Sequence, residues 1–192
     1  MIYSELQNIL SSKTIHLKSG QYLFTQGDSV KNIYCVNKGR IKLVRDTFEG
    51  TPILIHVAYA EESIAEASLF SKKYHCSALA GTHTEVTVYS KNELLKVLQE
   101  KPQSMMNLLR QLTTQVRDLR MLNEIKSIYN AKEKVLTYLA TEFHRDKESD
   151  LPLKDIAQKI GMAHETFYRT LKTLENDGKI KRNKSQIKLT DL

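Results

Sequence analysis

The stretch LPLKDIAQKIGMAHETFYRTLKTLENDG, residues 151–178, decides the fold of the C-terminal part of this chain. Its apolar residues recur at helical spacing in two short segments, with Gly161 between them. Glycine permits the sharp turn that this arrangement needs. The inner faces of the two predicted helices consist of Ile156, Ala157 and Ile160, and of Phe167, Leu171 and Leu174. The spacing predicts a helix-turn-helix motif, although a plain helical hairpin has the same spacing.

The residues that follow favour the helix-turn-helix over the plain hairpin. The segment KIKRNKSQIKL, residues 179–189, contains two short alternating runs around a turn at 183–185. Its cations are Lys179, Lys181, Arg182, Lys184 and Lys188. A β-wing with these charges suits contact with DNA phosphates, which position a protein without reading sequence. The alternative is a solvated, lysine-rich tail.

The second predicted helix has a polar face that would enter the major groove. Its members are His164, Glu165, Tyr168 and Arg169, which lie away from the apolar face. Arginine donates two hydrogen bonds to guanine, and glutamate accepts one from cytosine. Because Glu165 and Arg169 are four residues apart, they can instead form an ordinary surface ion pair.

The N-terminal part is divided by glycines at positions 20, 27, 39, 50 and 81, and no further glycine occurs before position 161. Alternating apolar and polar residues between them predict short strands. These strands are 22–27, 32–39, 40–46, 51–59 and 84–90, with a hairpin tip at 48–51. Short strands at regular spacing with turns between them are typical of an antiparallel sandwich or barrel.

The middle of the chain changes to a helical period. A short helix is predicted from Asn92, and Pro102 opens a long one. The long helix has apolar residues at intervals of three and four: Met105, Leu109, Leu112, Val116, Leu119, Leu122 and Ile125. This pattern predicts a seam for a partner helix, and the alternative is a helix that lies on its own sheet. Asn130, with Glu133 three residues on, predicts the start of a further helix over 131–144, which the polar stretch 144–150 ends.

Charge and composition limit the classes of protein. The chain has 29 Lys and Arg against 22 Asp and Glu, a formal charge of +7, which favours a polyanionic partner. It has no signal-peptide pattern and no run of 18 apolar residues, so we expect a soluble cytoplasmic protein without a membrane partner. Cys35 and Cys76 are too few for a disulfide framework, a zinc finger or an all-cysteine iron–sulfur cluster.

The sequence argues against an enzyme. His75 and Cys76 are neighbours, and neighbouring side chains on a strand point to opposite faces, so they form a poor catalytic dyad. His16, His56 and His83 are scattered without metal-ligand spacing, and no glycine-rich phosphate loop occurs.

At this point the chain resembles the Crp/Fnr family of bacterial transcription regulators over nearly its whole length. The residues that carry the resemblance are LFTQGD (23–28), VNKGRIKL (36–43), EASLF (66–70) and the E-x-x-x-R of Glu165 to Arg169. The resemblance implies an α+β protein with an N-terminal antiparallel, jelly-roll-like β-roll of the cyclic-nucleotide-binding type over 1–100. It also implies a long dimerisation helix over 101–129 and a C-terminal winged helix-turn-helix domain over 130–192.

The resemblance further implies a homodimer that binds a double-stranded, inverted-repeat DNA site and works with RNA polymerase. Glu165 and Arg169 match the family's principal base-reading positions, and Asn130 falls at the hinge before the DNA-binding domain. The predicted DNA-contacting residues are His164, Glu165, Thr166, Tyr168, Arg169, Lys172, Lys181, Arg182 and Lys184. The predicted dimerisation residues are Leu109, Leu112, Val116, Leu119 and Leu122.

The effector loop of the family corresponds to AEASLFSKKYHCSALAG, residues 65–81. Glu66 and Ser77 match the phosphate cradle of members that bind cyclic AMP, but Ala65 replaces a glycine and Cys76 replaces the phosphate-binding arginine. Cyclic AMP is therefore disfavoured unless Lys72 or Lys73 substitutes as a point charge. The predicted effector residues are Glu66, Lys72, Lys73, His75, Cys76, Ser77, Leu119 and Arg120.

The identity of the effector stays open. Haem, with His75 or Cys76 as an axial ligand, is one candidate, and no other metal site is predicted. A thiol switch at Cys76 or Cys35, an unidentified small ligand and no ligand at all are the others. The iron–sulfur branch is disfavoured because its N-terminal cysteine group is missing. The alternative to a DNA-binding regulator is a β-roll sensor module without DNA-binding activity, which leaves the basic wing unexplained.

Overall fold

The computed structural model describes residues 9–143, 152–182 and 187–190. The chain forms two compact units, residues 1–113 and 114–192. The division falls within a long helix, so the first turns of that helix belong with the N-terminal unit. Each unit is described separately below.

The N-terminal unit contains eight strands among its described residues. They are β1 (Ser12–Leu17), β2 (Tyr22–Phe24), β3 (Asn32–Lys38), β4 (Arg40–Asp46), β5 (Pro52–Tyr59), β6 (Ser63–Ile64), β7 (Ser77–Ala80) and β8 (Thr84–Ser90). They form two four-stranded antiparallel sheets with the orders β1-β8-β3-β6 and β2-β7-β4-β5. The predicted antiparallel β-roll is confirmed.

One hydrophobic core joins the two sheets. Ile33 and Val86 from the first sheet and Ile41 and Ala78 from the second are all inaccessible to solvent. The alternation of apolar and polar residues places these side chains on the inner faces. The sequence missed β1, β6 and β7, because β1 is almost entirely exposed and the other two are only two and four residues long.

The hairpin tip predicted at 48–51 joins β4 to β5. The amide of Thr47 donates to the carbonyl of Thr51 at 2.9 Å, and Gly50 has a φ of +78°. A second tight turn, at Gly39 between β3 and β4, has a φ of +84°. Both turns use the left-handed region, which favours glycine.

Gly39 is required not only for its positive φ but also because there is no room for a side chain, so its substitution tests the fold. A Cβ atom there would lie 2.5 Å from the carbonyl oxygen of His83, whereas at Gly50 it would meet nothing within 4 Å. Gly50→Ala is expected to cost about 1–2 kcal/mol for the left-handed backbone alone. Gly39→Ala should lower the free energy of unfolding by more than that, because the clash adds to the strain. Chemical denaturation of the two variants measures the difference, and equal losses would contradict the placement of this turn.

Two helices follow β8. Helix α1 (Lys91–Glu100) begins after Ser90, whose hydroxyl accepts a hydrogen bond from the amide of Glu93 at 3.4 Å. Helix α2 (Pro102–Ser127) begins at the predicted proline. Its Leu108 is buried in the core of the N-terminal unit, and Leu112 packs against that core.

The apolar residues of the predicted seam of α2 therefore differ in their exposure to solvent. Met105, Leu109, Val116 and Leu119 are exposed, with Leu119 57% accessible. Leu112 departs from the expectation, because it contacts the core of its own unit, and Leu122 is half-buried. One face of α2 lies on the β-roll, and another presents apolar side chains to solvent. The seam for a partner helix stays a prediction.

The second unit contains the helix-turn-helix. Asn130 caps helix α3 (Ala131–Phe143), its Oδ1 accepting from the amides of Lys132 and Glu133 at 3.0 and 3.1 Å. Helices α4 (Leu153–Lys159) and α5 (His164–Asn176) follow, and β9 (Ile180–Arg182) pairs with β10 (Ile187–Leu189). The polar stretch 144–150 and the wing turn at 183–185 lie outside the described residues.

The predicted inner faces of α4 and α5 are confirmed. Ile156, Ala157, Ile160, Phe167, Leu171 and Leu174 are all 0–2% exposed. Gly161 between the helices has a φ of +67°, which suits the sharp turn that the sequence predicted there.

Candidate nucleic-acid interface and effector loop

Helix α5 presents a polar surface opposite its buried face. His164, Glu165, Tyr168 and Arg169 are exposed, with Thr166 half-buried between the two faces. The rings of His164 and Tyr168 lie 4.5 Å apart, centroid to centroid, at an angle of 49°. This contact over one turn of helix holds the two rings together at the N-terminal end of α5.

Glu165 and Arg169 do not form the ion pair that their spacing allows. Within the part of the chain that the structure describes, no ion pair joins the carboxylate of Glu165 to the guanidinium of Arg169. Both side chains are therefore available for an outside partner. Arginine and glutamate four residues apart on one helix face can each address a base edge in the major groove.

Strand β9 of the predicted wing is attached to α5 by two hydrogen bonds. Nε and Nη2 of Arg182 donate to Oε2 of Glu175 at 2.9 and 2.6 Å. These bonds from Arg182 are the main reason that the pKa of the Glu175 carboxyl lies below its usual value. Arg182 thus holds β9 against α5, and its contact with a DNA phosphate stays a prediction.

Two other predicted cations of the candidate interface are open to solvent. Lys172 on α5 and Lys181 on β9 are exposed. Lys132 at the start of α3 is bound to Asp177 at 2.7 Å, which ties α3 to the end of α5. Lys184 and the side chain of Lys188 lie outside the described residues.

In the N-terminal unit, the effector loop starts with a strained residue. Ala65 has a φ of +75° and a ψ of 2°, the left-handed conformation, before a 3-10 turn at Glu66–Ser68. Non-glycine residues adopt this conformation at a cost of about 1–2 kcal/mol. The backbone at Ala65 thus has the shape that the family's glycine would take freely.

His75 is fixed in orientation by a buried hydroxyl. Its Nδ1 lies 3.0 Å from Oγ of Ser68, a residue that is 1% exposed. Burial, and secondarily the charge of Arg45, lower the pKa of the His75 imidazole, so the ring is neutral near pH 7. Glu66, next to Ser68, is half-buried.

Arg45 is a site residue that the sequence analysis missed. Val44 of β4 pairs with Ser77 of β7, so Arg45 continues the register opposite Cys76. Its Nε and Nη2 donate to the carbonyl oxygen of His75 at 3.0 and 2.8 Å. The cation beside Cys76 therefore comes from the neighbouring strand. Only the sheet register reveals this, because no motif includes Arg45.

Cys76 is buried and Ser77 is half-buried. Cys76 is 3% exposed, and the hydroxyl of Ser77 accepts from the amide of Gln26 at 2.9 Å. Burial raises the pKa of the Cys76 thiol; Arg45 opposes this rise and Glu66 adds to it. Cys35 is also buried, and burial, with the charge of Glu61, raises the pKa of its thiol to about 11.

Both thiols are expected to be inert in the folded protein. Nucleophilic attack needs the thiolate, and an ordinary cysteine has a pKa near 8.5. At pH 8 iodoacetamide should modify Cys35 more than about a hundredfold more slowly in the native protein than in the unfolded chain, with Cys76 also protected. Mass spectrometry of the two cysteine peptides measures this. Rapid modification of native Cys76 would contradict the prediction and support a thiol switch.

Of the other predicted effector residues, Lys72 and Lys73 lie within this loop, and Leu119 and Arg120 lie in the second unit. Lys72 and Lys73 are exposed, and their backbones pair with the segment before β3 through Val30 and Ser29. Leu119 and Arg120 belong to the second unit, and both are exposed. The loop of the N-terminal unit thus brings together Glu66, His75, Cys76 and Ser77, with Arg45 added.

Comparison with known proteins agrees with this architecture in both units. Residues 14–101 match the family described as the cyclic nucleotide-binding domain, and residues 133–192 match the Crp-like helix-turn-helix domain. The chain belongs to the Crp/Fnr family. Among described residues of this Crp/Fnr protein, no helix is long and apolar enough to cross a membrane.

Two curated relatives of this Crp/Fnr protein are regulators by name. The transcriptional activator protein Anr of Pseudomonas aeruginosa is 23% identical over 184 residues, covering 91% of this chain and 75% of the relative. The anaerobic regulatory protein of Bacillus subtilis is 24% identical over 197 residues, covering 94% of this chain and 81% of the relative.

Solved structures show the same fold. FixK2 from Bradyrhizobium japonicum superimposes with a TM-score of 0.80 at 18% identity, covering 95% of this chain and 94% of that one. The c-di-GMP-responsive global regulator CLP of Xanthomonas campestris gives a TM-score of 0.75 at 15% identity, covering 100% of this chain and 99% of that one.

Proposed function

We propose that this Crp/Fnr protein is a dimeric transcription regulator that reads a specific DNA sequence and couples DNA binding to a signal received by the β-roll. The observation that carries the proposal is the exposed polar face of α5, on which Glu165 and Arg169 are not paired with each other. A buried apolar face, with Phe167 at 0% exposure, supports that surface from below. Family membership and the names of the curated relatives support the same function.

The proposed target is an inverted-repeat operator. Two recognition helices of a symmetric dimer would contact half-sites about one helical turn, roughly 34 Å, apart. Arg169 is proposed to read a G·C pair in each half-site, with Glu165 contacting a neighbouring base. Lys172, Lys181 and Thr166 are proposed to contact phosphates, and RNA polymerase is the proposed partner on the promoter.

The proposed dimer forms through helix α2, which acts as the dimerisation element between a sensor part and a DNA-binding part. Its exposed Leu109, Val116 and Leu119 support this role. Burying such side chains against a second helix is favourable, whereas leaving several large apolar residues on one face in water is not. We retain the functional division into residues 1–100, 101–129 and 130–192 as part of the proposal.

Cyclic AMP is not the proposed effector. The residue at the position of the phosphate-binding arginine is a buried, neutral thiol, and the nearby guanidinium of Arg45 already donates twice to the carbonyl of His75. A phosphodiester would thus find no uncommitted fork of donors at Cys76.

Haem is retained as a candidate effector on the basis of His75. Axial ligation needs a neutral imidazole that is oriented by its second nitrogen, and Ser68 supplies that contact at Nδ1. Cys76 fits less well, because ligation needs a thiolate and burial raises the pKa of this thiol. An absorption spectrum and intact mass of the freshly purified protein would identify haem or another bound small molecule.

The proposed function is tested by selection of binding sites from random DNA, followed by gel shifts of the selected site. We expect an inverted repeat and a steep loss of affinity with salt, because several phosphates are neutralised. The alternative function, a β-roll sensor without DNA-binding activity, predicts no enrichment and no shift at low salt. That result would overturn the proposal.

A further inference from the structure

Two phenylalanines of the N-terminal unit are almost completely exposed among the described residues, Phe48 and Phe70. Phe70 is 84% exposed, although the residue before it, Leu69, is 3% exposed and belongs to the core. Isolated exposed apolar side chains are common on protein surfaces, so the surroundings of Phe70 decide whether it forms part of a binding site.

The loop that carries Phe70 is held firmly on both sides. The amide of Ser71, directly after Phe70, donates back across it to the carbonyl of Ser68 at 2.8 Å. After it, Tyr74 is buried, stacks on Phe24 with ring centroids 3.9 Å apart, and donates its hydroxyl to the carbonyl of Asn32 at 2.8 Å. Phe70 is therefore presented by a fixed backbone, which removes part of the entropy cost of binding.

Lysines lie within this loop and on the segments that contact it. Nζ of Lys91 donates to the carbonyl of Ser71 at 2.8 Å, and its amide donates to the carbonyl of Lys31 at 2.9 Å. The carbonyl of Lys72 accepts from Val30, and Lys73 pairs with Ser29. We name Phe70, Lys31, Lys72, Lys73 and Lys91 the Phe70 patch.

Among the described residues, no ion pair joins a lysine of the Phe70 patch to a carboxylate. Three carboxylates are near in sequence or through backbone contacts, those of Asp28, Glu66 and Glu93. That of Asp28 accepts from the amide and hydroxyl of Thr25 at 2.9 and 2.7 Å, so it is turned towards that turn. Lys31, Lys72 and Lys73 are all exposed. The Phe70 patch therefore consists of one apolar side chain on a fixed backbone, with lysines around it.

We propose that the Phe70 patch is a docking surface for an acidic protein segment that carries an apolar side chain, on a partner other than DNA. Charge complementarity selects the acidic segment and speeds its encounter, and the phenylalanine supplies the buried contact on which affinity depends. DNA is the less suitable occupant, because a phosphate backbone offers the lysines a partner but leaves Phe70 exposed.

The test uses the full-length protein and two fluorescein-labelled peptides of equal length. Both consist mainly of glutamate; one has leucine and phenylalanine at every third or fourth position, and the other has glycine and serine there. Fluorescence anisotropy should show the apolar peptide binding at least about tenfold more tightly than the other. Phe70→Ala should remove that preference, and the double variant Lys72→Glu/Lys73→Glu should abolish binding of both peptides.

Matched controls are available in the same unit. Phe48 is also fully exposed but lies at the tip of the β4–β5 hairpin, so Phe48→Ala should leave peptide binding unchanged. Lys13 and Lys18 are exposed on and after β1, so Lys13→Glu/Lys18→Glu controls for the change in net charge. Thermal unfolding confirms that each variant is folded.

Three results would overturn the inference: neither peptide binds, Phe70→Ala binds both peptides as the wild type does, or the lysine variant loses affinity for a DNA duplex rather than for peptide. The last result would make the patch a DNA contact. The gel shift of the selected operator is a separate readout, because α5 supplies the DNA contacts. Loss of peptide binding with an intact operator shift would thus leave the regulator function standing.

Discussion

Replacing Arg169 by alanine is expected to weaken operator binding by about 1–3 kcal/mol, which is roughly 5- to 150-fold, and to relax the preference at one base pair of each half-site. The physical reason is that Arg169 is exposed on α5 and its guanidinium is not committed to Glu165. The variant loses a bidentate contact to guanine, which a single lysine charge cannot reproduce. Competition gel shifts against operators that differ at each position measure the effect.

Lys172→Ala is the matched control for Arg169→Ala. Lys172 is exposed on the same helix and is proposed to contact phosphate, so its removal should weaken binding equally to all sequences. The salt dependence of binding should become less steep by about one unit, while base preference is retained. If Arg169→Ala behaves in the same way, with preference unchanged, Arg169 is a phosphate contact and the assignment is wrong.

Val116→Glu is expected to convert the dimer to a monomer. Val116 is 45% exposed on α2 among the apolar side chains of the proposed interface. Two-fold symmetry brings the substituted residue of both copies to one interface, so two carboxylates would be buried close together without cations. We expect the dimer to weaken by more than about a hundredfold, since a buried charge that is left without a partner typically costs about 3–5 kcal/mol.

Sedimentation velocity measures the dissociation, and operator binding should fall in parallel because one half-site holds a monomer weakly. Arg117→Glu, an exposed position on another side of α2, makes a larger change in charge and should leave the dimer intact. A dimeric Val116→Glu protein would show that α2 is not the interface. Dissociation of both variants would instead indicate a general effect of charge on the helix.

The elements that the sequence predicted well are those with strong local signals. The faces of α4 and α5 follow from residues at helical spacing, and the start of α3 follows from Asn130, whose carboxamide caps it. The hairpin tip at 48–51 also follows from local turn chemistry. These features depend on residues close in the chain, so periodicity and capping rules describe them.

The features that the sequence did not reveal depend on partners far along the chain. Arg45 meets the carbonyl of His75 because β4 pairs with β7, thirty residues away. Leu112 has the same spacing as the exposed apolar residues of α2, yet it contacts the β-roll. Spacing identifies an apolar face, but it does not say which surface will cover that face.

The fork between Arg182 and Glu175 limits how far the wing can move independently of the helix before it. Arg182 lies on β9 and Glu175 lies near the end of α5, so their two hydrogen bonds couple the orientation of the strand to that of the helix. In the proposed complex with DNA, α5 and β9 would therefore approach the duplex as one rigid piece.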